Sequence, residues 1–467
     1  MASSGIGPLT KAWAGYVSSF KAAQVPAEVR ARAIQMILDG SGALLAAADP
    51  KISTGRLIAK FVRDMGGKAD ASVIGHGFKT SVINAALANG TMGYACDVEP
   101  HHPEGVLHPI AVMTPASLAV AELAGASGAA FVAAVVLGCE IEYRLSMALG
   151  PVEQYNLGFH PSAVTGCFGA TAAASFLLGL NESQVTKAFG LAGCQASGLM
   201  AWESDETENS RPFQMGMAAR NGVTAALLAS RGFGGPIGIF DHGHTVFRAF
   251  SRKPSQHHMT DELGTRFDGI MELAIKPYSS VSFLHPGLDS LLGIAAREKL
   301  KIEDVESITL SFPSSGTHCI DNNPLKSHCA QYILPVAIAN RGLRVADIFI
   351  DQRVSDPVVA ELCRRVSVVS DAVLDDLFPD FYASIVHLKT RSGKTYERRN
   401  DIARGYPEAP LSAGELAEKF TALVGSVAAP DRVRALDAAI TALPRAEDLG
   451  VYAELLRAPV APRGRSS

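Results

Sequence analysis

The chain has 467 residues, of which 48% are hydrophobic and 19% charged, with a formal net charge of −4. At roughly 100–200 residues per domain this length predicts two to four domains, or one large domain with an insertion. The composition excludes a mainly disordered chain, the 43 dispersed glycines and 25 prolines exclude a collagen-like or low-complexity one, and the weak net charge gives no footprint for nucleic acid or an anionic membrane.

The first residues, MASSGIGPLTKAWAGYV, lack a basic start followed by a long apolar run, so no secretory signal is expected. The most apolar stretch, Gly128 to Cys139, is too short to span a bilayer and is followed at once by Glu140, Glu142 and Arg144. The seven cysteines form no CxxC pair and no zinc-finger spacing, which predicts reduced, mostly buried thiols in a cytoplasmic protein.

Up to about residue 265 the pattern is helical. Ala116–Ala124, Ala129–Leu149, Ala170–Leu178 and Ala218–Ala229 are apolar almost all round, as befits helices buried among helices. Small residues such as Gly169, Ala170 and Ala172 let such helices approach closely. Asn181 with Gln184 predicts a capped start, and Gly232 a stop. From 266 to 405 the texture is α+β. Glu306–Phe312 alternates as a half-buried strand, and Ala383–Thr390 with Lys394–Arg398 reads as a hairpin turning at Ser392-Gly393. Asp371–Leu377 and Pro286–Leu300 read as helices, and the run ending at Lys276 as strand-like. After 406 helices return, opened by a Ser412/Glu415 capping box. The expected fold is mainly α, with a large all-helical domain built from residues 1–265 and 406–467 and an inserted α+β lid over 266–405. No repeat of 20–50 residues is present.

The chemistry-bearing residues cluster in loops. Asp97, Glu99, His101, His102, Glu104 and His108 fall within one segment broken by Pro100, Pro103 and Pro109. An acidic loop whose imidazoles cap helix ends would have the same composition. Carboxylates with imidazoles would also suit Zn or Mn, although HExxH is lacking. His160-Pro161 precedes a helix, where the positive end attracts anions and disfavours imidazole protonation. Arg211 opens another buried helix and suits bidentate grip on a carboxylate, or a salt bridge to Glu206 or Glu208. Lys276, near the expected junction, could bind a carboxylate or act as a base. Tyr332 opens an apolar helix-like segment, where a structural hydrogen bond is the ordinary role. The glycine-rich run Gly232–Gly238 follows a helix and lacks a GKS/T ending, so it reads as a turn. The pairs His242/His244 and His257/His258 receive no role.

Taken in order, Leu38-Asp39-Gly40-Ser-Gly42, Ile83-Asn84 to Asn89-Gly90, His108-Pro109, Gly158-Phe-His160-Pro, Arg211-Pro212 to Asn221-Gly222, Lys276-Pro277-Tyr278 with His285, and Gln331-Tyr332 resemble the MmgE/PrpD family. The resemblance covers about residues 30–400. It implies a helical domain and a smaller lid with a crevice between them, a homodimer, and neither metal nor organic cofactor. It also implies a small di- or tricarboxylate substrate, from which a proton is moved at a carbon next to a carboxylate. Matching the family's pattern assigns His108, His160, Lys276, Tyr332 and Asp97 to catalysis, with Asp97 orienting a histidine. Arg211, His285, Glu99 and His102 are assigned to substrate binding. The chain departs from the family in the run Asp97-Val-Glu99-Pro-His101-His102 and in carrying Arg211 where lysine is usual. A dehydratase-type lyase is the leading expectation, with an epimerase or decarboxylase as alternatives on the same scaffold. Rivals of other classes are a metal-dependent hydrolase using the Asp97–His108 loop and a non-catalytic carboxylate-binding protein.

Overall fold

The computed structural model describes residues 5–378 and 381–461. The chain is mainly α and separates into two compact units. One comprises residues up to Ala95, Glu99–Leu273 and Ala417 onward; the other comprises Cys96–Val98 and Ala274–Leu416. The second unit begins and ends about ten residues later than the expected boundaries at 266 and 405. It also claims a three-residue outpost, Cys96–Val98, that nothing in the sequence marks.

The first unit is a bundle of helices, most of them without long amphipathic stripes; Ser53–Met65 is the clear exception. Its main members are α1 (Ala27–Ala47), α2 (Ser53–Met65), α3 (Val82–Tyr94), α4 (Pro109–Ala124), α5 (Gly128–Leu149), α6 (Pro161–Leu177) and α7 (Ser210–Ser230). Helices α4, α5 and α6 are buried along nearly their whole length, which is why their apolar residues show little periodicity. Small residues set the spacing. A Cβ on Gly216 would come within 2.4 Å of the Leu87 carbonyl oxygen, and one on Gly90 within 2.9 Å of the Gly216 Cα, so α3 and α7 cross backbone to backbone. The Asn181/Gln184 capping box forms, and Gly232 has φ +84°.

Both chain ends contribute. Helix Ala413–Gly425 begins at the Ser412/Glu415 capping box and returns the chain to the first unit. There Lys419 forms a 2.6 Å ion pair with buried Asp39 of α1, and Ser41 shares a 2.8 Å hydrogen bond with the Tyr452 hydroxyl. The unit is not all-helical. A hairpin, β1 (Ala71–Val73) with β2 (Phe78–Thr80), turns on Gly75 and Gly77, both at positive φ. Its strands are three residues long, too short to show an alternating pattern. Asn89 completes it, accepting from the Ile74 N–H and donating to the Ser72 carbonyl.

The second unit holds a four-stranded sheet in the order β4-β3-β5-β6, with β3 Val305–Phe312, β4 Val366–Ser370, β5 Ser384–Thr390 and β6 Thr395–Asn400. Strand β3 pairs parallel with β4 and antiparallel with β5, and β5–β6 is the expected hairpin, with Gly393 at φ +84°. Helix α8 (His285–Arg297) packs on β5 and β6, burying Leu288, Leu291 and Ile294 in a core with Leu310, Phe312, Val386 and Leu388. Helix α9 (Ala330–Asn340) joins the same core. The expected helix over 371–377 is a single turn, Ala372–Asp375. The strand-like run before Lys276 forms no named strand; the Ile275 N–H instead bonds the Gly405 carbonyl.

Among the described residues no helix is long and apolar enough to cross a membrane, and none of the seven cysteines forms a disulfide.

Candidate active site

In the helical unit two histidines stand at helix starts. His108 is the N-cap of α4 and His160 the N-cap of α6, each followed by proline at the first helical position. The two starts are tied together, because the His108 N–H donates to Ser162 Oγ at 3.0 Å. Tyr94, the last residue of α3, lies between their roles. Its ring centroid is 4.4 Å from that of His108 and 6.2 Å from that of His160. The Arg211 guanidinium carbon sits 4.7 Å from the Tyr94 ring and 5.2 Å from the Trp202 ring, and Arg211 Nη1 donates to the Tyr94 hydroxyl at 3.3 Å. The crossing of α3 and α7 at Gly90 and Gly216 brings Tyr94 and Arg211 together. Arg211 is thus buried on an aromatic shelf.

The two imidazoles differ in their partners. His108 Nδ1 lies 2.8 Å from Oε1 of the buried Glu99. Glu99 thus stands beside the His108 ring at ion-pair distance, as an opposite charge. His160 Nδ1 lies 3.0 Å from Gln214 Oε1, and the Gln214 amide nitrogen donates to the Leu199 carbonyl. The amide is therefore oriented with its oxygen towards His160, which fixes Nδ1–H and leaves the Nε2 lone pair open. Burial pushes the His160 pKa down to about 3. The Gln214 hydrogen bond opposes this, while His108 and Arg211 add to it. His160 is neutral at physiological pH.

Asp97 is paired within its own unit. It forms a buried ion pair with Lys276, both side chains 1% exposed, and the carboxylate on a histidine is Glu99, two residues on. Asp97 and Lys276 belong to the second unit, where Ser279 Oγ also donates to the Cys96 carbonyl at 2.6 Å. Asp97 adopts φ +47°, a left-handed backbone that side chains rarely take, at the point where the chain passes from one unit to the other.

His102 holds the loop. Its Nδ1 accepts from the Gly105 N–H at 3.1 Å, its Nε2–H points to the Asp268 carbonyl at 3.2 Å, and its ring stacks on Tyr143. Burial lowers its pKa to about 4, so it is neutral, and both ring nitrogens are committed to backbone rather than to a ligand. In the second unit His285 Nε2 lies 3.2 Å from the Ser280 carbonyl, with the ring edge-on to Tyr278. The Tyr332 hydroxyl donates to the Asp347 carbonyl at 2.9 Å and accepts from the Arg353 N–H at 3.0 Å. Among the described residues no three His, Cys, Asp or Glu side chains converge as a metal ion would need, so the metal-hydrolase rival gains no support from the loop's geometry.

Sequence reasoning missed Tyr94, Trp202 and Gln214. Tyr94 and Trp202 look like ordinary core aromatics. Gln214 had a usable signal, since it lies one turn after Arg211 on the same helix.

Residues 11–258 match the MmgE/PrpD N-terminal domain, and residues 278–444 match the MmgE/PrpD C-terminal domain. The chain belongs to the MmgE/PrpD family of enzymes. It is 25% identical to a cis-aconitate decarboxylase of Aspergillus terreus over 95% of both chains. It is 26% identical to a cis-aconitate decarboxylase-like protein of Aspergillus oryzae, over 96% of this chain and 97% of the relative. It is 25% identical to a mouse (Mus musculus) cis-aconitate decarboxylase, over 97% of this chain and 94% of the relative.

Proposed function

We propose that this family member is a carbon-acid lyase that decarboxylates a small unsaturated tricarboxylate of the cis-aconitate kind. The relatives favour this alternative over the dehydratase expected first from family frequency. The observation that carries the reading is the asymmetric imidazole pair on the Tyr94 shelf, one ring backed by a carboxylate and the other neutral beside an arginine.

The chemistry requires an electron pair to move and a proton to arrive. The bond from the departing carboxylate to its CH2 carbon breaks, releasing CO2. Its electrons form a new double bond to the neighbouring carbon, and the old double bond's electrons accept a proton at the far carbon. One proton is taken up for each CO2 released. His108 is suited to deliver it. Glu99 compensates the imidazolium before transfer. Neutral His160 can accept a hydrogen bond or a proton through Nε2. Arg211, pre-oriented on its shelf, holds a remaining carboxylate and stabilises the charge that develops when the C–C bond breaks. Lys276 is held by Asp97 within its own unit and is given no step here. Tyr332 and His102 take no chemical step, because their polar atoms are engaged by backbone.

The test is proton NMR in D2O with cis-aconitate, citrate, 2-methylcitrate, malate and iminodisuccinate. The expected result is CO2 loss from cis-aconitate with one deuteron entering the product, abolished in His160→Ala. Water loss from citrate or 2-methylcitrate would establish a dehydratase instead, and exchange of iminodisuccinate without net loss an epimerase. No change in any of them would remove the carbon-acid reading for this panel.

A further inference from the structure

One flank of helix α2 lines a basic cavity that the catalytic reading does not use. Arg56, Lys60 and Arg63 follow one another at helical spacing and border a space of about 400 Å³ within the first unit. Ligand pockets typically measure ~300–1,000 Å³, so a small organic molecule fits. The walls are fixed. Gly75, in the β1–β2 turn, donates its N–H to the Leu456 carbonyl, and its own carbonyl accepts from the Val460 N–H at 2.9 Å. Arg432 pins the same C-terminal segment, donating to the carbonyls of Leu455, Ala458 and Pro459. A Cβ on Gly75, which sits at φ +73°, would meet the Ala48 Cβ at 2.4 Å. The Arg63 guanidinium is held as well. It lies 4.4 Å from the centre of the Phe78 ring, and its Nη2 donates to the His76 carbonyl at 3.1 Å, which leaves other N–H groups for a ligand.

The lining carries net positive charge. Three cations stand against one carboxylate, Asp64, which pairs with Lys60, and Arg56 has no ion pair among the described residues. His76 adds no charge. Burial and then Arg63 push its pKa down to about 4, and its buried Nε2 has no hydrogen-bond partner among the described residues. Two positive charges are therefore left over. Ala48, Pro50, Ala59 and Val460 bring no polar side chain to the rest of the lining. A single carboxylate would match half of the charge, and a tricarboxylate would set charge against the apolar wall. A phosphate monoester, with about −1.5 to −2 at neutral pH and three acceptor oxygens, matches the cations, and a flat apolar body matches the wall. We propose that this cavity binds a nucleoside monophosphate, its phosphate on the α2 cation row and its base against Ala48, Pro50 and Val460. The proposal rests on no part of the catalytic reading.

Isothermal titration of the full-length protein with AMP, adenosine, inorganic phosphate and citrate tests it. The expected result is one AMP per chain, with each of the other three at least ~10-fold weaker, the worth of losing a charged hydrogen bond or its equivalent in apolar contact. Arg56→Gln/Arg63→Gln should weaken AMP by ~10-fold or more. Both positions are exposed, so that variant keeps its circular dichroism. Val460→Glu puts an acid on the wall and should abolish binding, whereas Val460→Gln, of the same size, should retain it, a contrast that loss of folding could not imitate. In proton NMR the His76 ring signals, identified by their loss in His76→Gln, should shift with AMP while those of His108 and His160 stay in place. AMP without effect up to millimolar concentration would overturn the proposal. So would another of the probes binding as tightly as AMP, an affinity indifferent to the double change, or shifts at His108 and His160 instead of His76.

Discussion

His108 and His160 share a local design and differ in their chemistry. Each caps a buried helix, each precedes a proline, and each lies within reach of the Tyr94 ring. The His-Pro motif fixes where the imidazole stands. What stands beside Nδ1 differs: a carboxylate at ion-pair distance for His108, an amide oxygen for His160. A third copy, His285-Pro286 in the second unit, has the motif but points its Nε2 at the Ser280 carbonyl. The dipeptide is therefore a positioning device, and the partner residue makes it acidic, basic or structural.

The strongest way to break this comparison is to remove each ring. His108→Gln and His160→Gln should each lower kcat by ~10²–10⁴-fold, the usual contribution of a placed acid or base. Equal, small losses measured by steady-state kinetics would mean that neither ring handles the proton. A finer cut exchanges the partners. Glu99→Gln keeps the size of the side chain beside His108 but removes its charge and should cost ~10²-fold in kcat, less than losing the ring. Gln214→Glu should do the reverse to His160, raising its pKa from about 3 towards the ordinary imidazole range, as read by NMR titration of its ring protons. In the wild type a group so depressed stays neutral from about pH 4 upward, so the acid limb of the kcat/KM profile near neutrality must come from elsewhere. In Gln214→Glu a new acid limb should appear at higher pH.

Much of this was legible in the chain. The buried helices, β3, the β5–β6 hairpin and both capping boxes follow from periodicity and cap chemistry, and ordered motifs along the chain point to the family. The rest was hidden for physical reasons. A three-residue strand has no period to read, so β1 and β2 were invisible. Asp97 and Glu99 are chemically alike and two residues apart, and the turn at Asp97 decides which one meets the histidine and which the lysine. His102 belongs to the same cluster by sequence, yet its two nitrogens serve the loop. Tyr94 and Trp202 are missed because an aromatic at a helix end looks the same whether it fills a core or supports an arginine.

Away from the site, Glu142 offers a comparison with the carboxylates that found partners. It is fully buried on α5, and neither oxygen has a hydrogen-bond partner among the described residues. Burial raises its pKa well above the ordinary value, so it is protonated in the folded protein and ionised above about pH 4.5 when unfolded. Between those two values the folded state binds more protons, so its contribution to stability falls as pH rises. Glu142→Gln removes that dependence. The variant should gain on the wild type as pH rises above ~4.5, until the folded carboxyl itself ionises. Denaturant unfolding at pH 5 and pH 8 checks it, and an equal difference at both would show that the carboxyl is ionised in the fold.

The smallest kinetic effect is expected at Tyr332, which tests whether position alone makes a catalytic group. The residue matches the family pattern, but its hydroxyl already donates to the Asp347 carbonyl and accepts from the Arg353 N–H. A proton donor must be free to turn to its substrate, and this one would have to abandon a buried carbonyl to do so. Tyr332→Phe strands that carbonyl and that N–H. It should cost ~1–3 kcal/mol of stability while changing kcat by less than ~10-fold. A loss of ~10²-fold in kcat with unchanged stability would mean that the hydroxyl leaves the Asp347 carbonyl during turnover, and it would return Tyr332 to the proton-handling set beside His108.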